Sequence, residues 1–264
     1  MSNGPVMLSA SSLDHDVLMA EVGLPGGHVT GPVRLGNTVR RRPAAQAEFV
    51  HRLLQLFEEA NWPGAPRFLG FDEAGREMLS YVDGHAAWEA QQPPAVWSRA
   101  SLCRVGELIR EFHELTAGRD LAGSHEVVCH NDLSPRNTIY RDSGTGLRPV
   151  AFIDWDLAAP GRRIHDVALA CWQYLDLGPD VQDVATTAAL MPVICDGYGL
   201  ADRSELVPTI LWWQDRCWRG ISDGAKAGDP AMLSLRDIGA VAEVLAAYRW
   251  TQQHSASLEL TGMS

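Results

Sequence analysis

The stretch from Val128 to Asp166 limits this chain more than any other. It reads VCHNDLSPRNTIY, then a glycine-containing turn, then VAFIDWDLAAPGRRIHDVA. An apolar run over 126–129 opens into the polar loop HNDLSPRN. TIYR and PVAFID flank the turn and read as two strands of a hairpin, the second ending on Asp154. A buried strand that ends in an acid is costly unless the acid meets a partner. Here Asp132, Asp154 and the amide of Asn137 converge at one end of the hairpin. Such an oxygen-rich set suits magnesium. Phosphoryl transfer needs a metal to bridge phosphate oxygens and a carboxylate to orient the attacking hydroxyl and accept its proton. The spacing H-x-D-x-x-x-x-N, followed by a strand-borne Asp, meets both needs. A polar hairpin with a solvated loop would tolerate any one of these residues, but not readily all four at these spacings. A zinc reading of His130 with His113 or Cys129 fits poorly, because the neighbouring ligands are hard oxygens.

The segment resembles the catalytic motif of the aminoglycoside phosphotransferase and choline kinase families, which share the protein-kinase-like fold. Pro160, Gly161 and Asp166 also resemble that family's text after its metal-binding Asp. The resemblance implies an α+β, two-lobed fold, with a small, reduced N-terminal β lobe over 1–83 and a larger, mainly helical C-terminal lobe over 84–264. It implies an ATP- and Mg2+-dependent kinase of small molecules, with GTP as the alternative nucleotide. Carried over by position, Asp132 is the catalytic base and His130 a buttress of its loop. Asn137 and Asp154 are the metal ligands, and Asp166 tethers the loop from a helix start. Asp156 touches metal or substrate, or only caps a turn. Two departures point away from protein kinases. Ser134 stands where protein Ser/Thr kinases usually have Lys, and only eleven residues separate Asp154 from Asp166, too few for a regulated activation loop.

The first lobe resembles the family less closely. Gly26, Gly27 and Gly31 form either a loop over the nucleotide phosphates or a plain turn. A hairpin-like text follows to Arg42. A kinase of this fold holds the phosphates with a basic residue on the next strand, yet the chain's one lysine is Lys226, far downstream. Alternation in TVRRRP puts Val39 and Arg41 on one face, so Arg41 takes the role, with Arg40 as the other register. Glu48, early on a helix expected over 44–60, is the ion-pair partner implied for it, with His51 as competitor. Two short strands, 67–71 and 77–82, enclose the turn DEAG. Ser80, Tyr81 and Val82 resemble the hinge whose backbone binds adenine.

Beyond Gly84 the pattern turns helical. A strong helix is expected over 95–116, with Val105, Leu108, Ile109, Phe112 and Leu115 on one face. Four more are expected from Asp166 to Gln253. This half carries Trp172, Tyr174, Trp212, Trp213 and Trp218 beside Asp176, Asp180, Asp183, Asp215 and Asp223. The set reads as ordinary helix cores with solvated acids, or as a site for a cationic small molecule, since aromatic faces attract ammonium groups. The substrate class stays open between antibiotic, choline-like amine, homoserine-like metabolite and peptide-like toxin. A net charge of −11 argues against a general polyanion binder, since nucleic acid would need a basic face. The five cysteines are odd in number and widely spaced, as free thiols in a reducing compartment would be. No charged-then-apolar leader is present and no apolar run is long enough to span a bilayer, so a cytoplasmic protein without membrane contact is expected, a monomer or weak dimer. The second function class is a catalytically silent kinase-like binding or immunity protein, suggested by the absent strand lysine and opposed by Asp132, Asn137 and Asp154.

Overall fold

The computed structural model describes residues 20–24, 31–88, 92–144 and 146–262. The chain divides into two compact units. The first comprises 1–45 and 67–81; the second comprises 46–66 and 82–264. The helix that the sequence groups with the small lobe therefore clusters with the helical unit.

The first unit is an antiparallel sheet of five strands: β1 (Val22–Gly23), β2 (Val33–Leu35), β3 (Thr38–Arg41), β4 (Phe68–Phe71) and β5 (Glu77–Ser80). They lie in the order β1-β2-β3-β5-β4. Gly36 takes φ 59°, the left-handed backbone that the two-residue β2–β3 turn requires. The β4–β5 turn is built on Asp72, whose carboxylate accepts the backbone N–H groups of Ala74 and Arg76 at 3.0 and 2.9 Å. In that way the side chain supplies the acceptors that a turn's own backbone leaves wanting.

The second unit opens with α1 (Ala47–Glu59), which buries Val50, Leu53, Leu54 and Phe57. A short strand β6 (His85–Ala86) precedes α2 (Arg99–Thr116), which starts on the Ser98 hydroxyl as N-cap. Strand β7 (Val127–Cys129) pairs with β10 (Ala159–Gly161). Strands β8 (Thr138–Asp142) and β9 (Leu147–Phe152) form the expected hairpin and, with β6, a three-stranded sheet. Six helices follow where the periodicity suggested four: α3 (Arg163–Tyr174), α4 (Val184–Ala188), α5 (Met191–Tyr198), α6 (Leu206–Lys226), α7 (Pro230–Asp237) and α8 (Ala240–Gly262). The extra breaks have local causes. Asp183 and Asp229 cap new helix starts, and Gly199, Gly228 and Gly239 adopt positive φ at helix ends.

Helices α2 and α5 cross with backbones nearly touching. A Cβ at Gly197 would sit 2.1 Å from the Cys103 carbonyl oxygen, and one at Gly106 would sit 2.2 Å from that of Ile194. Rings from several elements fill the core beside this crossing. Trp155 packs against Phe57 and Phe112 with centroids 5.1 Å away in each case, and against His130 at 4.4 Å. The Phe112 contact is edge-on, which suits the ring quadrupoles, and the other two are tilted. Trp155 is thereby fixed, and its neighbour Asp154 with it.

Gly197→Ala should cost about 1–3 kcal/mol, because the new methyl meets rigid backbone. Gly220→Ala, where a Cβ meets nothing within 4 Å on α6, should stabilise by up to about 1 kcal/mol. Urea denaturation of the two variants should move the midpoint in opposite directions.

Candidate active site

The site is built on a buried carboxylate. Asp166 lies in the first turn of α3 and has no solvent exposure. Its Oδ2 accepts the backbone N–H of His130 at 2.7 Å, and its Oδ1 accepts that of Asn131 at 3.0 Å. His113 Nε2 lies 3.1 Å from Oδ2, and His113 Nδ1 is 3.0 Å from the Tyr198 hydroxyl. Burial alone would push the Asp166 carboxyl up. The hydrogen bond and charge of His113 and the Asn131 N–H outweigh it and hold the carboxyl below its usual range. His113, Cys129 and Asp166 bring ligand-type atoms within 4.8 Å of one another. The trio is structural, because each member is already engaged: the Cys129 thiol faces the Arg162 carbonyl at 3.2 Å, and burial raises its pKa far above the ordinary thiol value.

With its N–H groups gripped, the loop from His130 to Asn137 presents its side chains in fixed directions. His130 is buried, and burial lowers its pKa, so the ring is neutral. Its Nδ1 accepts the Asp132 N–H at 3.2 Å, which assigns the proton to Nε2; that nitrogen donates to the Ile153 carbonyl at 3.1 Å. One imidazole therefore ties the loop to the residue before Asp154. Asn137 Nδ2 donates to the Asp132 carbonyl at 2.9 Å and to its Oδ2 at 2.8 Å. The nitrogen being spent, Oδ1 is the amide atom left to serve as a ligand. The Ser134 carbonyl accepts Thr138 Oγ1 at 2.8 Å and the Tyr174 hydroxyl at 3.2 Å, and those two hydroxyls bond each other.

Asp132 is pushed up to about 7, first by burial, then by the like charges of Asp154 and Asp156, against the opposing hydrogen bond from Asn137. A carboxylate poised near neutrality suits a general base. Asp154 adopts φ 64° and ψ 62°, the left-handed region that costs a non-glycine residue about 1–3 kcal/mol. The Trp155 core contact and its indole N–H to the Phe152 carbonyl at 3.0 Å hold it there. Gln46 Nε2 bonds the Asp156 carbonyl, and Asn131 Nδ2 bonds the Leu157 carbonyl at 2.9 Å. The donor set of Asp154 carboxylate and Asn137 amide oxygen is all hard oxygen, and acids crowd it closely enough to perturb Asp132. That chemistry fits Mg2+.

Comparison with known proteins agrees with this architecture. Residues 117–200, the span that carries His130, Asp132, Asn137, Asp154 and Asp166, match the model of the phosphotransferase enzyme family. The trifolitoxin immunity protein of Rhizobium leguminosarum bv. trifolii is 32% identical over 208 residues, spanning 70% of this chain and 76% of that protein. The chain belongs to the phosphotransferase enzyme family. By family it is a small-molecule phosphotransferase with a hydroxyl acceptor. The GDP complex of an aminoglycoside 2'-phosphotransferase-IIIa mutant matches 89% of the chain and 97% of its own length with TM-score 0.59 and 16% identity. An ethanolamine kinase of Plasmodium vivax matches 92% of this chain and 81% of its own, with TM-score 0.56 and 12% identity. These two likenesses concern the fold, which is protein-kinase-like.

The phosphotransferase keeps its other expected site residues in two places. Arg40, Arg41, Ser80 and Tyr81 belong to the sheet unit, whereas Glu48 and Val82 belong to the helical unit. Gly26 and Gly27 lie outside the described residues. In the sheet, Arg41 Nε donates to Glu77 Oε1 at 2.6 Å, directly across from it in register. Arg40 reaches Asp72 at 3.5 Å, and its Nε is buried without a partner. Periodicity alone marks Glu77 only as a strand residue; its acid appears as a partner once the β3–β5 register is known. Gln46 and the His113–Tyr198 pair escaped the sequence reading because nothing local marks them.

Asp166 should dominate the acid stability of the phosphotransferase. Its folded-state pKa lies below the unfolded value of about 3.9, so its stabilisation is complete above that value and is lost as pH falls through the folded one. Asp166→Asn should flatten the acid limb of the stability profile and cost about 2–3 kcal/mol at neutral pH. Urea titrations between about pH 2 and 7 check both effects.

Proposed function

We propose that the chain is an ATP- and Mg2+-dependent kinase that transfers the γ-phosphoryl group to the hydroxyl of a small molecule. The observation that carries this reading is Asp132. It is a carboxylate raised to about 7, locked by Asn137 beside Asp154. In this reading Asp132 orients the acceptor hydroxyl and takes its proton. His130 holds the loop's shape by its two backbone hydrogen bonds. Asp154 and Asn137 would hold Mg2+, which supplies neutralisation of phosphate charge. Arg41 is the proposed phosphate contact in place of a lysine, with Arg40 as the alternative; the acid paired with Arg41 is Glu77, where Glu48 was expected. Ser80, Tyr81 and Val82 are the proposed adenine contacts. Structural relatives are described in complex with GDP and with ADP, so either purine base is compatible.

A second reading is favoured by one observation, the likeness to an immunity protein. Immunity needs only that a toxin be neutralised, and a kinase could do so by phosphorylating it, a silent binder by sequestering it. ADP release over a panel of hydroxyl-bearing compounds separates turnover from mere binding.

Asp132→Asn should fold normally and lose transfer by at least about 10²-fold, the scale of a general base. Near-normal turnover would remove Asp132 from that role. Calorimetry offers a second check: Asp154→Ala and Asn137→Ala should each weaken Mg-ATP binding, since each removes an oxygen ligand. Unchanged, magnesium-dependent affinity in both variants would place the metal elsewhere.

Removal of the neighbouring charge gives a third check. In Asp154→Asn the second-largest cause of the Asp132 shift is gone, so its carboxyl should titrate nearer the ordinary range. The ¹³C carboxyl shift of Asp132 followed against pH should show the downward move.

A further inference from the structure

Three of the five acids expected to hold a cationic acceptor, Asp183, Asp215 and Asp223, are engaged elsewhere. Asp215 pairs with Arg219 at 2.8 Å on one exposed turn of α6, and Asp223 pairs with Lys226 at 2.9 Å. Asp183 caps its own helix through Ala185 and Thr186. Among the aromatic residues expected beside them, Trp172, Trp213 and Tyr174 are buried, whereas Trp212 is 43% exposed.

Trp212 has a different company. Its ring stacks on His165 with centroids 4.8 Å apart and planes 20° from parallel. The Arg216 guanidinium lies 5.5 Å from the Trp212 centroid. Trp213 Nε1 donates to the His165 carbonyl at 2.8 Å, which fastens this turn of α6 to the residue next to Asp166. Asp166 in turn grips the catalytic loop. Burial lowers the His165 pKa, and the charges of Arg162 and Arg216 lower it further, against Asp166 and Glu126. The Arg162 carbonyl accepts the His165 N–H at 3.0 Å, and Arg216 lies over the indole that stacks on His165, so both guanidinium groups extend from backbone joined at this stack. Among the described residues neither has a hydrogen bond or an ion pair of its own. The link from α6 to the proposed base runs through Trp213 to His165, and from the adjacent Asp166 to the His130 and Asn131 amides that precede Asp132. Exposed Leu157, whose carbonyl anchors Asn131, adds an apolar rim on the loop side.

An arginine pair without counter-ions beside an exposed indole is an arrangement for an oxyanion. Guanidinium matches carboxylate geometry in a fork, and the indole shields the contact from water. We propose that Arg162 and Arg216, with Trp212 beside them, hold a carboxylate of the acceptor while its hydroxyl lies at Asp132. The acceptor is then an amino-acid-like or peptide-like hydroxyl compound, not a polycation. This inference rests on the phosphotransferase reading for the position of the reacting hydroxyl.

The test uses the full chain with N-acetyl-seryl-glycine and its C-terminal amide, which differ in one negative charge. Kanamycin serves as the cationic probe, and glycerol 3-phosphate against glycerol asks whether phosphate replaces carboxylate. Calorimetry reads binding and ADP release reads turnover. The free acid should bind at least about tenfold more tightly than its amide, on the scale of a charged hydrogen-bonded pair. Arg216→Gln and Arg162→Gln should erase that preference through KM with kcat little changed. Arg219→Gln, whose charge is already paired on the outer face, should leave it intact. Equal binding of acid and amide, binding of neither, preference for kanamycin, or a charge preference that survives both glutamine variants would each overturn the proposal. Preference for the phosphate ester alone would overturn the carboxylate assignment. Acceptor-free ADP release from Mg-ATP, present in the wild type and lost in Asp132→Asn, reports on the kinase reading separately, so each idea can fail without the other.

Discussion

The contact on which the site depends is the grip of one dry carboxylate on two successive backbone N–H groups. Asp166 reaches from the start of α3 to His130 and Asn131, and everything after them in the loop inherits its direction. Two adjacent amides pointing at one acid force a sharp local bend, and Asn131 accepts it at φ 63°. From that bend Asp132 and Asn137 come together, and His130 reaches across to the strand that ends on Asp154. The acid would be expensive where it is if it were unpaired. Its three hydrogen-bond partners make it instead the anchor of the loop.

Around the anchor, charge is sorted by what each group can pay back in contacts. Asp154 and Asp156 stand close to Asp132 and, with burial, raise it towards neutrality. Acids farther along α6 are matched by arginine or lysine one turn away. Arginines without a match collect on the His165–Trp212 stack. A chain with net charge −11 thus still has two arginine side chains, Arg162 and Arg216, with no ion pair among the described residues. The general charge of the protein says little about the charge of what it binds.

The loop from His130 to Asn137 was legible in the sequence because its pattern is local: the H-x-D-x-x-x-x-N spacing and the strand-end Asp154 stand within a few tens of residues. The β8–β9 hairpin and the face of α2 were legible for the same reason, through alternation and helical period. Contacts that need register or tertiary packing were not. Arg41 meets Glu77 because β3 lies antiparallel to β5, and no spacing along the chain announces that pair. The helices after Asp166 number six because single caps and positive-φ glycines interrupt a periodicity that runs on through them. Gly106 and Gly197 read as weak helix positions, whereas the close crossing of α2 and α5 gives them their purpose.

The left-handed backbone at Asp154 bears on what the fold would prefer at that position. Glycine or asparagine would occupy that conformation at less cost, so an aspartate there is a standing charge on the fold. On the proposed metal-binding reading, the backbone at position 154 favours a residue that the metal does not, so fold stability and binding oppose each other at this one position.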